Sequence, residues 1–330
     1  MRILVIGGTQ FVGRAFVDEA AHRGHELTLF HRGTTEPEGL PDVEHVHGDR
    51  NSDLGLLKGS TWDAALDTNA YFPRAVRELA GVLVDSVERF TLVSTISVYP
   101  LNSPPGITEE SPLRPVLDTD IEVVDGETYG PLKVACENEA RSTFGDRCLV
   151  IRPGYIIGPN DPTDRFTFYV RRAAAGGEML APGPPEASVQ LIDARDLAAF
   201  MLDRVEVADK GTYGVAGPAA PLTMRKVLET ATTVGDAGTN LTWVTPKFIN
   251  EQLGHERWSL IPMWHPEVPG MSGFNASKAR AAGLRFRPLA ETIADLLAWD
   301  RGRGSPQLKA GLIFEREREL LRDWNDQPSR

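Results

Sequence analysis

A tyrosine and a lysine stand four residues apart in Tyr129-Gly130-Pro131-Leu132-Lys133. At the start of a helix this spacing puts both side chains on one face. Pro131 is compatible with a first turn, whose N–H groups have no intrahelical partner. An ammonium beside a phenol favours phenolate and lowers the tyrosine pKa from ~10 towards working pH. Such a tyrosine protonates an alkoxide as hydride reaches a carbonyl, or removes a hydroxyl proton in the reverse direction. The pair alone is a weak signal, because Y-x-x-x-K arises by chance in many helices. Its weight comes from the preceding run Val93-Ser94-Thr95-Ile96-Ser97-Val98-Tyr99. Thr95 and Ser97 are hydroxyls at the carboxyl edge of that run, where a substrate carbonyl could be held.

A second constellation is Gly7-Gly8-Thr9-Gln10-Phe11-Val12-Gly13, between an apolar run and a helical stretch. In that context a glycine-rich turn presents backbone N–H groups and a helix N-terminus to a pyrophosphate. Gly7 permits the tight turn and Gly13 lets helix and strand pack closely, whereas Gln10 occupies the place where a small residue would let phosphates approach. A plain strand–helix turn would account for the same residues. The next apolar run ends at His31-Arg32, eighteen residues beyond Gly13, where an acid would bind a free ribose 2′-hydroxyl. A histidine and an arginine suit a 2′-phosphate better, so NADP is expected over NAD.

Strands expected at 2–6, 26–30, 43–47, 63–67, 89–94 and 148–152 alternate with helices at 11–23, 73–85 and 127–144. The alternation predicts an α/β fold, a doubly wound parallel sheet with helices on both faces. A proline-rich stretch at 100–120 interrupts it. Beyond 152 the rhythm changes. Strands are expected at 189–192 and 212–215 around a helix at 193–205, and further helices at 223–234, 278–282, 289–299 and 315–324. This divides the chain into a dinucleotide-binding domain over 1–152, to which 187–217 returns, and a smaller C-terminal substrate-binding region over 153–330.

The 330 residues carry a net charge of −11, which makes the protein a poor nonspecific ligand for nucleic acid or an anionic membrane. Two cysteines, Cys136 and Cys148, exclude a disulfide framework. No apolar run approaches the ~18 residues of a membrane span. A first strand starting at Arg2 leaves no room for a leader, so a cytoplasmic protein is expected. His45 and His47 alternate on one strand, but no third ligand is evident, so no metal site is expected.

In order along the chain, the turn Gly7…Gly13, residues 94–99, Glu109/Glu110 with Pro112, Tyr129-x-x-x-Lys133 and Arg152-Pro153-Gly154 resemble the extended short-chain dehydrogenase/reductases. This is the NAD-dependent epimerase/dehydratase group. The resemblance covers the N-terminal half closely and continues loosely through 189–197. It implies a Rossmann-type sheet and specific roles. Tyr129 would be the general acid/base, Lys133 would bind the nicotinamide ribose and lower the Tyr129 pKa, and Thr95 would hydrogen-bond the reacting oxygen. Asp49, with Arg50, matches the position that meets the adenine. Thr68, Asn69 and Ala70 after the fourth strand, and Ser94 after the fifth, would border the cofactor, and Pro153-Gly154 would approach the nicotinamide. The resemblance also implies a homodimer through the helices at 73–85 and 127–144.

The chain departs from that pattern in four places. Gln10 replaces the middle glycine, as in atypical members that include a plastid RNA-associated branch. His31 replaces the ribose-binding acid. Ile96-Ser97 stand in place of the Asp-Glu pair of sugar-nucleotide 4,6-dehydratases, and Tyr155 stands where many nucleotide-sugar members have an asparagine. Ser97, Tyr155 and Arg165 are the substrate candidates. For Arg165 the alternative is a solvated residue at a helix start capped by Thr163 or Asp164. Trp258, Trp264, Trp299, Met263 and Met271 read as core before pocket. The expected function is an NADP-linked oxidoreductase interconverting a small-molecule carbonyl and alcohol. The alternatives are a nucleotide-sugar epimerase with tightly bound NAD, and a non-catalytic cofactor-sensing or RNA-associated protein.

Overall fold

The computed structural model describes residues 1–35, 39–116 and 121–327, with the backbone alone at 269 and 271. The first half runs β1 (Arg2–Ile6), α1 (Phe11–His22), β2 (Glu26–His31), β3 (Glu44–His47), β4 (Trp62–Asp67), α2 (Pro73–Leu83), β5 (Val87–Val93), α3 (Tyr129–Phe144) and β6 (Cys148–Pro153). The second half runs β7 (Tyr155–Ile157), α4 (Arg165–Ala173), β8 (Gly177–Pro182), β9 (Leu191–Asp193), α5 (Ala194–Glu206) and β10 (Gly211–Val215). It continues with α6 (Met224–Gly235), β11 (Thr239–Val244), α7 (Pro246–Leu253), α8 (Arg257–Leu260), α9 (Ser277–Ala281), α10 (Leu289–Gly302) and α11 (Phe314–Asn325).

Seven strands form one parallel sheet in the order β3-β2-β1-β4-β5-β6-β10. The central strands are buried on both faces over most of their length, so β1 reads as an apolar run from Ile3 to Ile6, while β4 and β5 keep shorter apolar stretches beside charged residues. In α1, Gly13, Phe16, Val17 and Ala20 recur at helical spacing and bury one stripe. That stripe and α5 share a core cluster with one face of the sheet. On the other face α2 and α3 bring Val76, Leu79, Ala80, Leu83, Cys136 and Ala140 into a second cluster. The strand order reverses between β1 and β4, so the glycine turn and the end of β4 open a crevice at the carboxyl edge.

Much of the later chain packs about its own core, which includes Phe166, Tyr169, Met179, Leu228, Phe248, Trp264 and Leu296. Trp264 and Met263 are buried there and Trp299 packs partly buried against it, while Trp258 is exposed. The Met271 side chain lies outside the described residues, as do residues 117–120 of the proline-rich stretch. The expected strand near 189–192 forms as β9, but it pairs with the short β7 rather than the main sheet. Of the segment 187–217, only β10 adds a strand to the seven-stranded sheet. The sequence reading misses β7, β8, β11, α7 and α8, and has the start of α4 only as the alternative for Arg165. β8 and β11 pair only with each other, and α4 starts from Asp164 in a left-handed conformation (φ 58°) with no side-chain cap to announce it.

The chain also closes back on the sheet near Phe274. Gln190 donates from Nε2 to the Phe274 carbonyl at 2.7 Å and accepts the Phe274 N–H at 2.9 Å. The Phe274 ring lies over Gly214 of β10, where a Cβ would come within 1.9 Å of the ring.

Candidate functional site

The glycine turn after β1 is built for close approach. Gly7 has φ +100°, and a Cβ there would meet Thr68 Oγ1 at 2.6 Å. A Cβ on Gly13 would meet Gly8 N at 2.8 Å and Gly8 Cα at 2.9 Å. The Thr68 hydroxyl is held by donating to the Ile6 carbonyl at 2.9 Å. No side chain caps α1. Gln10 is extended and exposed, and Phe11 adopts φ 41°. A cleft of about 620 Å³ opens over this turn. Gly7, Thr9, Gln10, Phe11, Val12, Gly13, His31, Arg32, Asp49, Arg50, Thr68, Asn69, Ser94, Thr95, Ser97, Tyr129, Lys133, Pro153, Gly154, Tyr155 and Arg165 all line it. Among the expected site residues Ala70 alone is absent from that lining.

At one end of the cleft His31 turns toward β3. Its Nδ1 accepts the Gly33 N–H at 3.1 Å, and its Nε2 lies 2.8 Å from His45 Nδ1. Arg32, which is exposed, lines the cleft beside it. Hydrogen bonds from the Asn51 backbone and side chain hold the Asp49 carboxyl below the usual carboxylate range. Arg50 is tied down beneath the cleft. It donates to Asp67 at 3.1 and 2.9 Å and to the carbonyls of Asn69 and Ala75. Its guanidinium therefore joins the loop after β3 to the end of β4 and the start of α2. The expectation that His45 and His47 lack a third partner is corrected here. His31, from the neighbouring strand, brings a ring nitrogen within 4.8 Å of theirs.

At the other end Lys133 is buried, and its Nζ donates to the Ala70 carbonyl at 2.7 Å and the Val93 carbonyl at 2.6 Å. This is where Ala70 enters: its backbone oxygen positions the lysine. Burial lowers the Lys133 pKa. Burial also raises that of Tyr129, and the Thr95 hydroxyl facing it and the Arg165 guanidinium act in the opposite direction. The expected lowering of the Tyr129 pKa by Lys133 is thus not what this geometry produces, since the ammonium is committed to two backbone carbonyls. Thr95 Oγ1 accepts the Ser97 N–H at 3.1 Å and donates to Ser97 Oγ at 3.2 Å. Gly130, next to Tyr129, is required against this loop, because a Cβ would meet the Ser97 carbonyl oxygen at 2.2 Å.

Sequence reasoning did not assign the buried network behind these groups. Ser94, although it lines the cleft, donates its hydroxyl to Glu137 Oε1 at 2.6 Å. Arg152 forks onto Glu137 at 2.8 and 2.6 Å and reaches the Tyr99 hydroxyl at 2.6 Å. Arg141 adds a third contact to Glu137 at 2.9 Å. Arg152 and its neighbours hold the buried Glu137 ionised, its pKa lowered against the effect of burial. The available signal was spacing: Glu137 lies one helical turn beyond Lys133, and Arg152 precedes Pro153-Gly154.

On the substrate side Arg165 donates from Nε to Thr163 Oγ1 at 3.1 Å, and its guanidinium lies 5.8 Å from the Tyr155 ring centroid. Asp164 does not cap α4; Arg303 and the Lys309 amide bind its carboxylate. Burial raises the Tyr155 pKa. His265 stacks on Trp258 with ring centroids 3.9 Å apart, and burial drops its pKa to about 4.

Among the described residues no helix is long and apolar enough to cross a membrane. A chloroplast stem-loop binding protein of 41 kDa (b form) from Arabidopsis thaliana is 26% identical over 237 residues, 66% of this chain and 58% of that protein. The matched stretch therefore spans little more than half of that relative. A dTDP-4-dehydro-6-deoxy-D-allose reductase from a Streptomyces species is 24% identical over 250 residues, covering 65% of this chain and 76% of that one. Among solved structures, the Bordetella bronchiseptica enzyme WbmG in complex with NAD and UDP shares the fold. Its TM-score is 0.68 at 17% identity, over 92% of this chain and 96% of that chain. The model of the NAD dependent epimerase/dehydratase family matches residues 3–216, and the chain belongs to that family.

Proposed function

We propose that the protein is an NADP-linked oxidoreductase that interconverts a small-molecule carbonyl and its alcohol. One observation carries this reading: Tyr129, Thr95 and Lys133 line the same cleft as the glycine turn. The turn fits a dinucleotide, because the space where Cβ atoms of Gly7 and Gly13 would stand is already closed by neighbouring atoms. The nicotinamide cofactor, when bound, supplies or accepts the hydride. Thr95 and Ser97 hold the substrate oxygen by hydrogen bonds. Tyr129 Oη delivers the proton in the reductive direction, and burial keeps the phenol protonated and ready to give it. Lys133 spends two of its three donors on backbone carbonyls and keeps one for a ribose hydroxyl. Arg32 meets the 2′-phosphate that distinguishes NADP from NAD. Arg165 and Tyr155 take the substrate body beyond the reacting carbon.

A second reading is a nucleotide-sugar epimerase that retains NAD. The shared fold of the WbmG complex with NAD and UDP favours it. Mass spectrometry of the denatured protein, paired with turnover assays, separates the two. NADP(H), with carbonyl reduction that requires added NADPH, supports the oxidoreductase. Stoichiometric NAD, with activity in the absence of added nicotinamide, overturns it in favour of the epimerase.

A further inference from the structure

The parallel register of β2 and β3 sets His31 opposite His47. His45 precedes His47 by two residues on the edge strand and so shares its face. Three imidazoles from two strands thus converge. The His31 ring centroid lies 5.0 Å from each of the others, and those of His45 and His47 are 6.0 Å apart. The ring planes cross at 75°, 81° and 69°, so the rings meet edge to face rather than stack. One nitrogen from each ring lies within 4.8 Å of the other two.

We infer that His31, His45 and His47 form a binding site for one transition-metal ion of the zinc class. Imidazole nitrogens suit zinc, cobalt, nickel and copper, and three of them leave a coordination position for water. With metal–nitrogen bonds of about 2.0–2.1 Å, tetrahedral ligands sit ~3.3 Å from one another. His31 Nε2 and His45 Nδ1 are already 2.8 Å apart. Closure therefore needs them to part slightly and His47, the exposed member, to swing inward by about an ångström. The Gly33 amide now donates to His31 Nδ1. Coordination through His31 Nε2 moves that ring's proton to Nδ1, so metal binding exchanges the bonds to Gly33 and His45 for metal–nitrogen bonds. The alternative is an imidazole cluster held by hydrogen bonds alone. Mg²⁺, a hard cation that prefers oxygen ligands, is the discriminating control.

The test uses tag-free full-length protein treated with chelator and then dialysed. CoCl₂ titration should give visible ligand-field bands that saturate at one equivalent, and ZnCl₂ should raise Tm and abolish the bands by displacement. MgCl₂ should do neither. His47→Gln, a change at the exposed ring, should remove the bands and the zinc shift. His22→Gln with His255→Gln, exposed and outside the cluster, should keep both. Absence of bands in the wild type, or their persistence in a folded His47→Gln protein, overturns the site and leaves the hydrogen-bonded cluster only.

Discussion

Arg50 and Asp67 meet through two hydrogen bonds of 3.1 and 2.9 Å beneath the cleft, with the Asp67 side chain wholly buried. The same guanidinium also serves two carbonyls, so one side chain joins the loop after β3 to the end of β4, the loop that follows it and the start of α2.

Removing that guanidinium leaves a buried carboxylate without its partner. Arg50→Ala should cost about 3–5 kcal/mol of stability. Arg50→Lys should recover only a minor part, because an ammonium cannot fork onto both oxygens and still reach the carbonyls. Urea denaturation of the three proteins checks this. A loss under ~1 kcal/mol in Arg50→Ala would mean that the site relaxes around Asp67.

Tyr129→Phe should leave cofactor affinity nearly unchanged and lower turnover by about 10²–10⁴-fold, the range for a lost proton-transfer group. Single-turnover kinetics beside a cofactor titration make the comparison. Turnover within a few-fold of the wild type would remove Tyr129 from the proton-donor role.

Arg32 should set a preference for NADPH over NADH. A charge-assisted hydrogen bond contributes about 1.5–3 kcal/mol, and at ~1.4 kcal/mol per decade that gives roughly 10–150-fold. Arg32 is exposed, so the lower part of that range is expected, and it should shrink with added salt. Calorimetry on the wild type and Arg32→Ala decides. Equal affinities in the wild type would return Arg32 to a solvated loop.

Gln10→Gly should preserve or tighten dinucleotide binding. Gln10 is extended and exposed and makes no capping bond to α1, so its side chain is a steric presence at the turn. A markedly weaker dissociation constant would identify the carboxamide as a cofactor ligand.

His265 should make stability depend on pH below neutrality. Burial lowers its folded-state pKa from 6.5 to about 4, so between those values the unfolded chain binds a proton that the folded chain refuses. The stabilisation is full above 6.5 and falls as pH drops towards 4. The loss between pH 7 and pH 5 should be about 2 kcal/mol. Urea unfolding at both pH values should show a shallower dependence in His265→Gln, and an unchanged slope would assign it to other groups.

The sheet was legible because short apolar, β-rich stretches alternate with helical ones, and β1, an apolar run from Ile3 to Ile6, is found over the residues the sequence predicts. The glycine turn and Tyr129–Lys133 were legible because their chemistry is local in sequence. What depends on pairing was not. His31 becomes the neighbour of His45 and His47 only through the β2–β3 register. Ala70 was expected at the cofactor, but its carbonyl belongs to Lys133, a contact across 63 residues that no local pattern encodes. Arg50 was expected near the adenine, yet Asp67 claims its charge. β7, which was missed, has three residues, too few for any periodicity.

The Phe274 ring over Gly214 gives the family match a boundary that folding does not respect. Residues 3–216 carry the recognisable pattern, yet the face of its last strand is covered by a side chain sixty residues later. Ala279 and Leu284, later still, complete the core around α1 and α5. A fragment cut after residue 216 would expose apolar surface on its terminal strand and invite self-association. Only a glycine at 214 leaves room for a ring that lies outside residues 3–216, so the stretch the family model matches and the length of chain that packs together differ.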